Sequence, residues 1–248
     1  MPIDTFLILG SAHSGRRALC ADVCENALAP DKAAVFVSEN EPADEADAKL
    51  ESLANAAVYR YHQASEFSKI VCGEGFDAQA CLFIADSGAN LADAVEGFKA
   101  LCDAGTARLV RVWSVIDCAL LETHGKQLKV YFDALSHFAD CVILTNRSNI
   151  PNSLIKSLTD GYKKECKPHL VELMDKFGRL KNPLELTVDQ ARRISMLFDD
   201  FDPIDELELD EDNLPEEPFS LERKPDPYME RLPGGHRKNP IPEPPVNK

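Results

Sequence analysis

No stretch of the sequence stays apolar for the roughly 20 residues that a membrane-crossing helix requires. Met1-Pro2-Ile3-Asp4 puts no basic cluster ahead of its short apolar run, so no secretory leader is expected either. The eight cysteines (20, 24, 72, 81, 102, 118, 141, 166) include no Cys-x-x-Cys pair and no short-loop framework. Scattered thiols, with Cys81 and Cys141 inside apolar runs, read as reduced core residues of a cytoplasmic protein. There is no His-x₃-His pattern to ligate a metal and no G-x-S-x-G elbow to carry a nucleophile. Positive charge is scarce: 27 Lys and Arg face 42 Asp and Glu, a net charge of -15. A surface of that sign repels phosphate backbones, so nucleic acid is not an expected partner.

What is present is a regular alternation. Apolar runs of strand length occur at Thr5–Leu9, Ala33–Val37, Cys81–Ala85, Leu109–Ile116, Cys141–Thr145 and His169–Leu173. Amphipathic stretches of helical length follow at about 15–28, 43–56, 90–103, 118–137, 151–166 and 187–199. Strand–helix alternation of this kind predicts an α/β fold, a mainly parallel β-sheet with helices on both faces. Val58-Tyr59-Arg60-Tyr61 offers a short extra strand, and Gly73–Gly75 a turn.

The composition shifts near residue 200. Residues 199–248 hold fifteen Asp and Glu against six Lys and Arg, and ten of the sixteen prolines lie between 203 and 248. The expected organisation is a domain over 1–199 and a disordered acidic Pro-rich tail over 200–248, since such a segment buries too little apolar surface to order itself. Phe219, Leu221, Tyr228 and Met229 are its candidate anchors for a protein partner.

The strongest local signal is Phe6-Leu7-Ile8-Leu9 running into Gly10-Ser11-Ala12-His13-Ser14-Gly15-Arg16-Arg17. A buried strand, a glycine turn and a helix start form a phosphate-holding geometry, because the helix N-terminus presents free N–H groups and partial positive charge. Gly10, His13, Ser14, Gly15, Arg16 and Arg17 are therefore candidate nucleotide-binding residues. The spacing matches G-x-x-x-x-G-K-S/T except at its last two positions. Arg16 keeps the charge of the lysine in a planar, bulkier group. Arg17 brings a second cation to the place where a hydroxyl would bind Mg²⁺. Anion binding is expected to survive this better than metal-assisted hydrolysis. The same residues spell G-x-A-x-x-G, an alternative dinucleotide fingerprint for NAD(P), with Glu39 as its ribose-binding acid.

Further segments resemble the motifs of the CobW/HypB/UreG-type P-loop GTPases, the metal-centre chaperones, over roughly residues 4–175. Val35-Phe36-Val37-Ser38-Glu39 is similar to that family's strand ending in Asn-Glu, and Ile84-Ala85-Asp86-Ser87-Gly88 to its strand ending in Glu-Thr-Ser-Gly. Val112–Ala119, with Asp117, resembles V-x-x-V-D-A, and Ala139–Asn149 resembles the base-recognition strand A-D-x-I-x-x-N-K-x-D. The resemblance implies a three-layer P-loop NTPase-like fold that binds GTP or another purine nucleotide. It implies Arg16 and Asp86 in catalytic positions, Glu39 and Asp86 beside Mg²⁺, and Asn146 and Asn149 at the base.

The departures point one way. Asn149 stands where an Asp would accept two hydrogen bonds from guanine, and Arg147 where a lysine stem would pack. The family's C-x-C-C metal motif is absent, with Cys72 alone. The expectation is a weak or non-hydrolysing switch, or pseudo-GTPase. The alternative from another class is an adaptor that uses the old scaffold and acts through its tail.

Overall fold

The computed structural model describes residues 1–199 and 225–245. Its elements are β1 (Ile3–Gly10), α1 (Arg16–Asn26), β2 (Ala33–Ser38), α2 (Ala46–Ser52), β3 (Ala56–Tyr61), α3 (Glu66–Val71) and β4 (Ala80–Ile84). They continue with α4 (Leu91–Asp103), β5 (Ala107–Asp117), α5 (Cys118–His124), α6 (Lys129–Phe138), β6 (Cys141–Thr145), α7 (Asn152–Lys164) and β7 (Leu170–Leu173). A 3₁₀ turn, Pro183–Thr187, follows.

The seven strands form one sheet in the order β3-β2-β4-β1-β5-β6-β7, and every pairing is parallel. Strands buried on both faces read as unbroken apolar runs, and β2 and β4 are buried at every position. Successive side chains alternate faces, so the strands feed two cores. Leu7, Leu9, Phe36 and Phe83 pack with α3, α4, α5, α6 and α7 on one side. Phe6, Ile8, Val35 and Trp113 pack with α1, α2 and the 3₁₀ turn on the other. The expected α/β/α layering is therefore the observed one. Trp113 is fully buried, its ring 4.7 Å from that of Phe6, and its Nε1–H donates to Leu186 O at 3.2 Å. No helix among the described residues is long and apolar enough to cross a membrane.

Three elements differ from expectation. The stretch at 118–137 is two helices, broken between His124 and Lys129, and the extra strand is real, followed by the unexpected α3. Residues 187–199 form no α-helix. The Ile194 and Ser195 N–H groups both donate to His137 O, at 3.2 and 3.0 Å, and the Arg192 N–H donates to Asp140. These bonds to the end of α6 take the place of the i→i−4 ladder, although the apolar periodicity suits a helix.

The segment after residue 200 was expected to be one disordered tail. Residues 200–224, with Phe219 and Leu221, lie outside the described residues, as do 246–248. Residues 225–245 pack on the domain, which revises that expectation for this part. Ile241 is buried, and Tyr228 and Met229 join the first core. Ion pairs add to this: Arg237 meets Asp93 and Glu96 of α4, each at 2.6 Å. A few apolar anchors and charges opposite α4 offset the ordering cost that composition alone says the segment cannot meet.

Candidate functional site

In a parallel sheet every strand ends at the same edge, and here Gly10, Ser38, Ile84, Asp117 and Thr145 close their strands there. The glycine loop leaves β1 with Gly10 at φ +147°, where an added Cβ would stand 2.7 Å from Val115 O. Gly15 sits at φ +88°, and a Cβ there would meet Met174 Cε at 2.9 Å. Gly10 needs glycine for space and for backbone angle, and Gly15 chiefly for backbone angle, since the Met174 methyl can move aside. The first helical bond of α1 runs from Leu19 N–H to Gly15 O at 2.9 Å, so the N–H groups of its first turn lie outside the helical ladder. Two bonds from the end of β6 and the residue after it pin the loop: Thr145 Oγ1 donates to Ser14 O at 2.7 Å, and Asn146 Nδ2 to His13 O at 3.1 Å.

Arg16 and Arg17 are both buried and both already paired. Arg16 Nη1 donates to Ala85 O at 2.5 Å, and its Nη2 lies 2.8 Å from each carboxylate oxygen of Glu41. Arg17 reaches Asp47 at 2.8 Å and Glu41 at 3.6 Å. The Ser87 N–H also donates to Glu41, at 2.7 Å. The cavity left among Ser14, Gly15, Arg16, Arg17, Glu41 and Pro42 is about 10 Å³, close to the room of one water. Ser14 Oγ, buried in its wall, has no hydrogen-bond partner among the described residues.

The expected metal side is arranged differently. Glu39 is exposed and pairs with His62 at 3.0 Å. Asp86 accepts from Ser38 Oγ at 3.0 Å, Asn40 Nδ2 at 2.8 Å and the Gly88 N–H at 2.8 Å. Its oxygens are thus largely engaged within the chain, and Arg17, which stands at the hydroxyl's place in the sequence, has its guanidinium turned to Asp47 and Glu41. Among the described residues no cluster of three acid, histidine or cysteine side chains has a metal-binding arrangement. Glu39 and Asp86 therefore do not make the expected two-carboxylate Mg²⁺ site, because one is paired with His62 and the other is engaged by three donors. Cys20 and Cys24 are buried in α1, and burial pushes the Cys24 thiol up to about 12, so in the metal-free chain both are neutral core thiols.

Sharing His13, Gly15 and Asp44 with the cavity beside Glu41 is an open cleft of about 900 Å³, lined also by Lys49, Asn146, Arg147, Met174 and Phe177. That volume suits a nucleotide-sized ligand. Asn146, at φ +48°, also donates to Asp117 Oδ2 at 2.9 Å, so one amide ties β5, β6 and the glycine loop together. Arg147 donates from Nε and Nη2 to Met174 O at 3.2 and 3.1 Å, which fixes the loop after β7. Asn149 is exposed at φ +67° and stands outside the cleft lining.

The structure thus brings together Gly10, Ser14, Gly15, Arg16 and Arg17, with His13 and Asn146 at the cleft. It gives Glu39 and Asp86 different partners, and Asn149 is exposed outside the cleft lining. Sequence reasoning missed Glu41 and Thr145. Glu41 stands two residues beyond Glu39 in an acidic loop, and nothing in the pattern distinguishes the two acids. The strand order also bears on the dinucleotide alternative. That fold sets β2 beside β1, whereas here β4 lies between them, which places Glu39 a further strand spacing, about 4.8 Å, from the loop.

No protein-family profile and no curated protein matches the sequence. Solved structures of similar shape include the Zn(II)-bound YjiA GTPase from E. coli, with 14% identity, a TM-score of 0.48, and coverage of 77% of this chain and 63% of that one. FtsY from Mycoplasma mycoides is similar at 16% identity and a TM-score of 0.48, over 76% of this chain and 69% of that one. FtsY from Elizabethkingia anophelis in complex with GDP gives 14% identity and 0.47, over 81% and 64%. The chain spans under two thirds of the length of YjiA, and at these identities no function carries across.

Proposed function

We propose that this chain is a CobW/HypB/UreG-like P-loop nucleotide-binding protein that holds a purine nucleotide without hydrolysing it, a pseudo-GTPase or non-hydrolysing switch. The observation that supports nucleotide binding is the Asn146 amide. It joins His13 O in the phosphate-type loop to Asp117 at the end of β5, beside a cleft of about 900 Å³. A base in the cleft and phosphates at the loop would thereby keep a fixed relation. Hydrolysis is disfavoured for separate reasons. The loop cations are neutralised by Glu41 and Asp47, and Asp86, the acid expected beside the metal, is engaged by Ser38, Asn40 and Gly88.

Calorimetric titration with GTP, GDP, ATP and NAD(P), each with and without Mg²⁺, tests this reading. Micromolar, Mg²⁺-independent binding of a purine nucleotide with no phosphate release above background is expected. Absence of binding to all of them would overturn it and favour the adaptor reading. That second reading must reckon with Tyr228 and Met229, two of its four candidate anchors, being already packed against the domain.

A further inference from the structure

The Glu41 carboxylate is held as an anion would be held. Arg16 Nη2 is 2.8 Å from both of its oxygens, the Ser87 N–H donates at 2.7 Å, and Arg17 stands at 3.6 Å. Its side chain is 3% exposed. These donors come from the start of α1 and the turn after β4, where the loop and the sheet edge converge. Beside the carboxylate remains a cavity for about one water. Ser14, with a buried and unpartnered Oγ, lines it, and α1, 11 residues long, opens at its rim with first-turn N–H groups free of the helical ladder. The receptor for a small oxyanion is therefore assembled, and the chain fills most of it with its own side chain.

We propose that Glu41 is the internal ligand of the glycine loop, and that a single tetrahedral oxyanion enters only by displacing it. Both inorganic phosphate and the terminal phosphate of a nucleotide have that chemistry. Glu41 occupies Arg16 Nη2 and the Ser87 N–H, and Asp47 already shares Arg17, so a phosphate reaches these donors only once Glu41 has left them. Glu41 then sets the threshold for phosphate occupancy. The inference rests on reading the loop as an anion site, and it stands apart from whether the neighbouring cleft takes a base.

The test compares wild type with Glu41→Gln, which keeps the shape and removes the charge, and with Glu41→Ala, which also opens space. Thermal midpoints are followed against inorganic phosphate at constant ionic strength, and then against GDP and GTP. Phosphate is expected to raise the midpoint of either variant with an apparent affinity roughly tenfold or more tighter than wild type. Adding Arg16→Ala to Glu41→Gln is expected to erase the response. A response as strong in wild type, no response in a folded Glu41→Gln protein, or one that survives loss of Arg16 would each overturn the proposal. If the variants take phosphate but neither they nor wild type bind any nucleotide, the internal-ligand role stands and the nucleotide reading falls. GTP displacing phosphate in the variants would identify the terminal phosphate as a source of the anion.

Discussion

Arg16 Nη2 stands 2.8 Å from both carboxylate oxygens of Glu41, and each of the two side chains is 3% exposed. They are 25 residues apart in sequence. At that burial an ion pair contributes little net stability but is costly to break, because the surviving charge is left desolvated. The loop's principal cation is consequently a structural partner of the β2–α2 loop. It is not a free group waiting at the sheet edge.

Arg16→Met is expected to destabilise the fold by roughly 3–5 kcal/mol by stranding Glu41. Arg16→Met combined with Glu41→Leu is expected to recover most of the loss. Chemical denaturation of the single and double variants measures it, and additive losses would refute the coupling.

Gly15→Val places a β-branched side chain at φ +88° with its Cβ 2.9 Å from Met174 Cε. Strain and overpacking together are expected to cost roughly 2–4 kcal/mol. The substitution also closes the loop to phosphates, so nucleotide titration should show no binding. Unchanged affinity would remove the loop from the binding site.

Tyr228 packs its ring 5.2 Å from His137 and 5.8 Å from Phe138, next to Asp226, which accepts from His137 at 2.8 Å and from Ser195 at 2.5 Å. Tyr228→Ala is expected to lower stability by roughly 1–3 kcal/mol. A chain ending at residue 224 should lose more, because Ile241 and the pairs of Arg231 and Arg237 with α4 go too. A melting temperature indifferent to both changes would mean that 225–245 does not dock in solution.

His169 is buried against Tyr162, with both ring nitrogens unpartnered among the described residues. Burial, helped by the charge of Lys167, lowers it from 6.5 to about 4. The unfolded chain therefore takes up this proton before the folded one does. The associated stability is complete above 6.5 and is lost as pH falls from 6.5 towards about 4. At most roughly 3.5 kcal/mol is at stake, from about 1.4 kcal/mol per unit. His169→Phe should flatten this part of the pH profile in denaturant titrations at about pH 7 and about pH 4.5. A profile identical to wild type would exclude His169 as its source.

Much of the fold was legible because its information is local. Strands covered on both faces must be continuous apolar runs, and Phe6–Leu9, Ala33–Val37 and Cys141–Thr145 are such runs. A turn with positive φ beside crowded backbone admits little but glycine, so Gly10 and Gly15 announced the loop. Asn146 was legible by resemblance, from the end of an apolar strand.

The sequence by itself determined the α/β layering, the place of the loop and the cations within it. Only the tertiary structure decided what those cations do. Glu39 and Glu41 are chemically equal neighbours, and the difference lies in which way the chain turns after β2: one acid faces His62 and solvent, the other Arg16 and Ser87. Residues 187–199 carry a helical pattern, but a carbonyl on His137 and a carboxylate on Asp140 outbid their local hydrogen bonds. Residues 225–245 read as tail because their composition is poor in apolar groups, and α4 and α6 supply the surface that holds them. Periodicity encodes burial; it does not encode the partner, which is fixed by contacts made far along the chain.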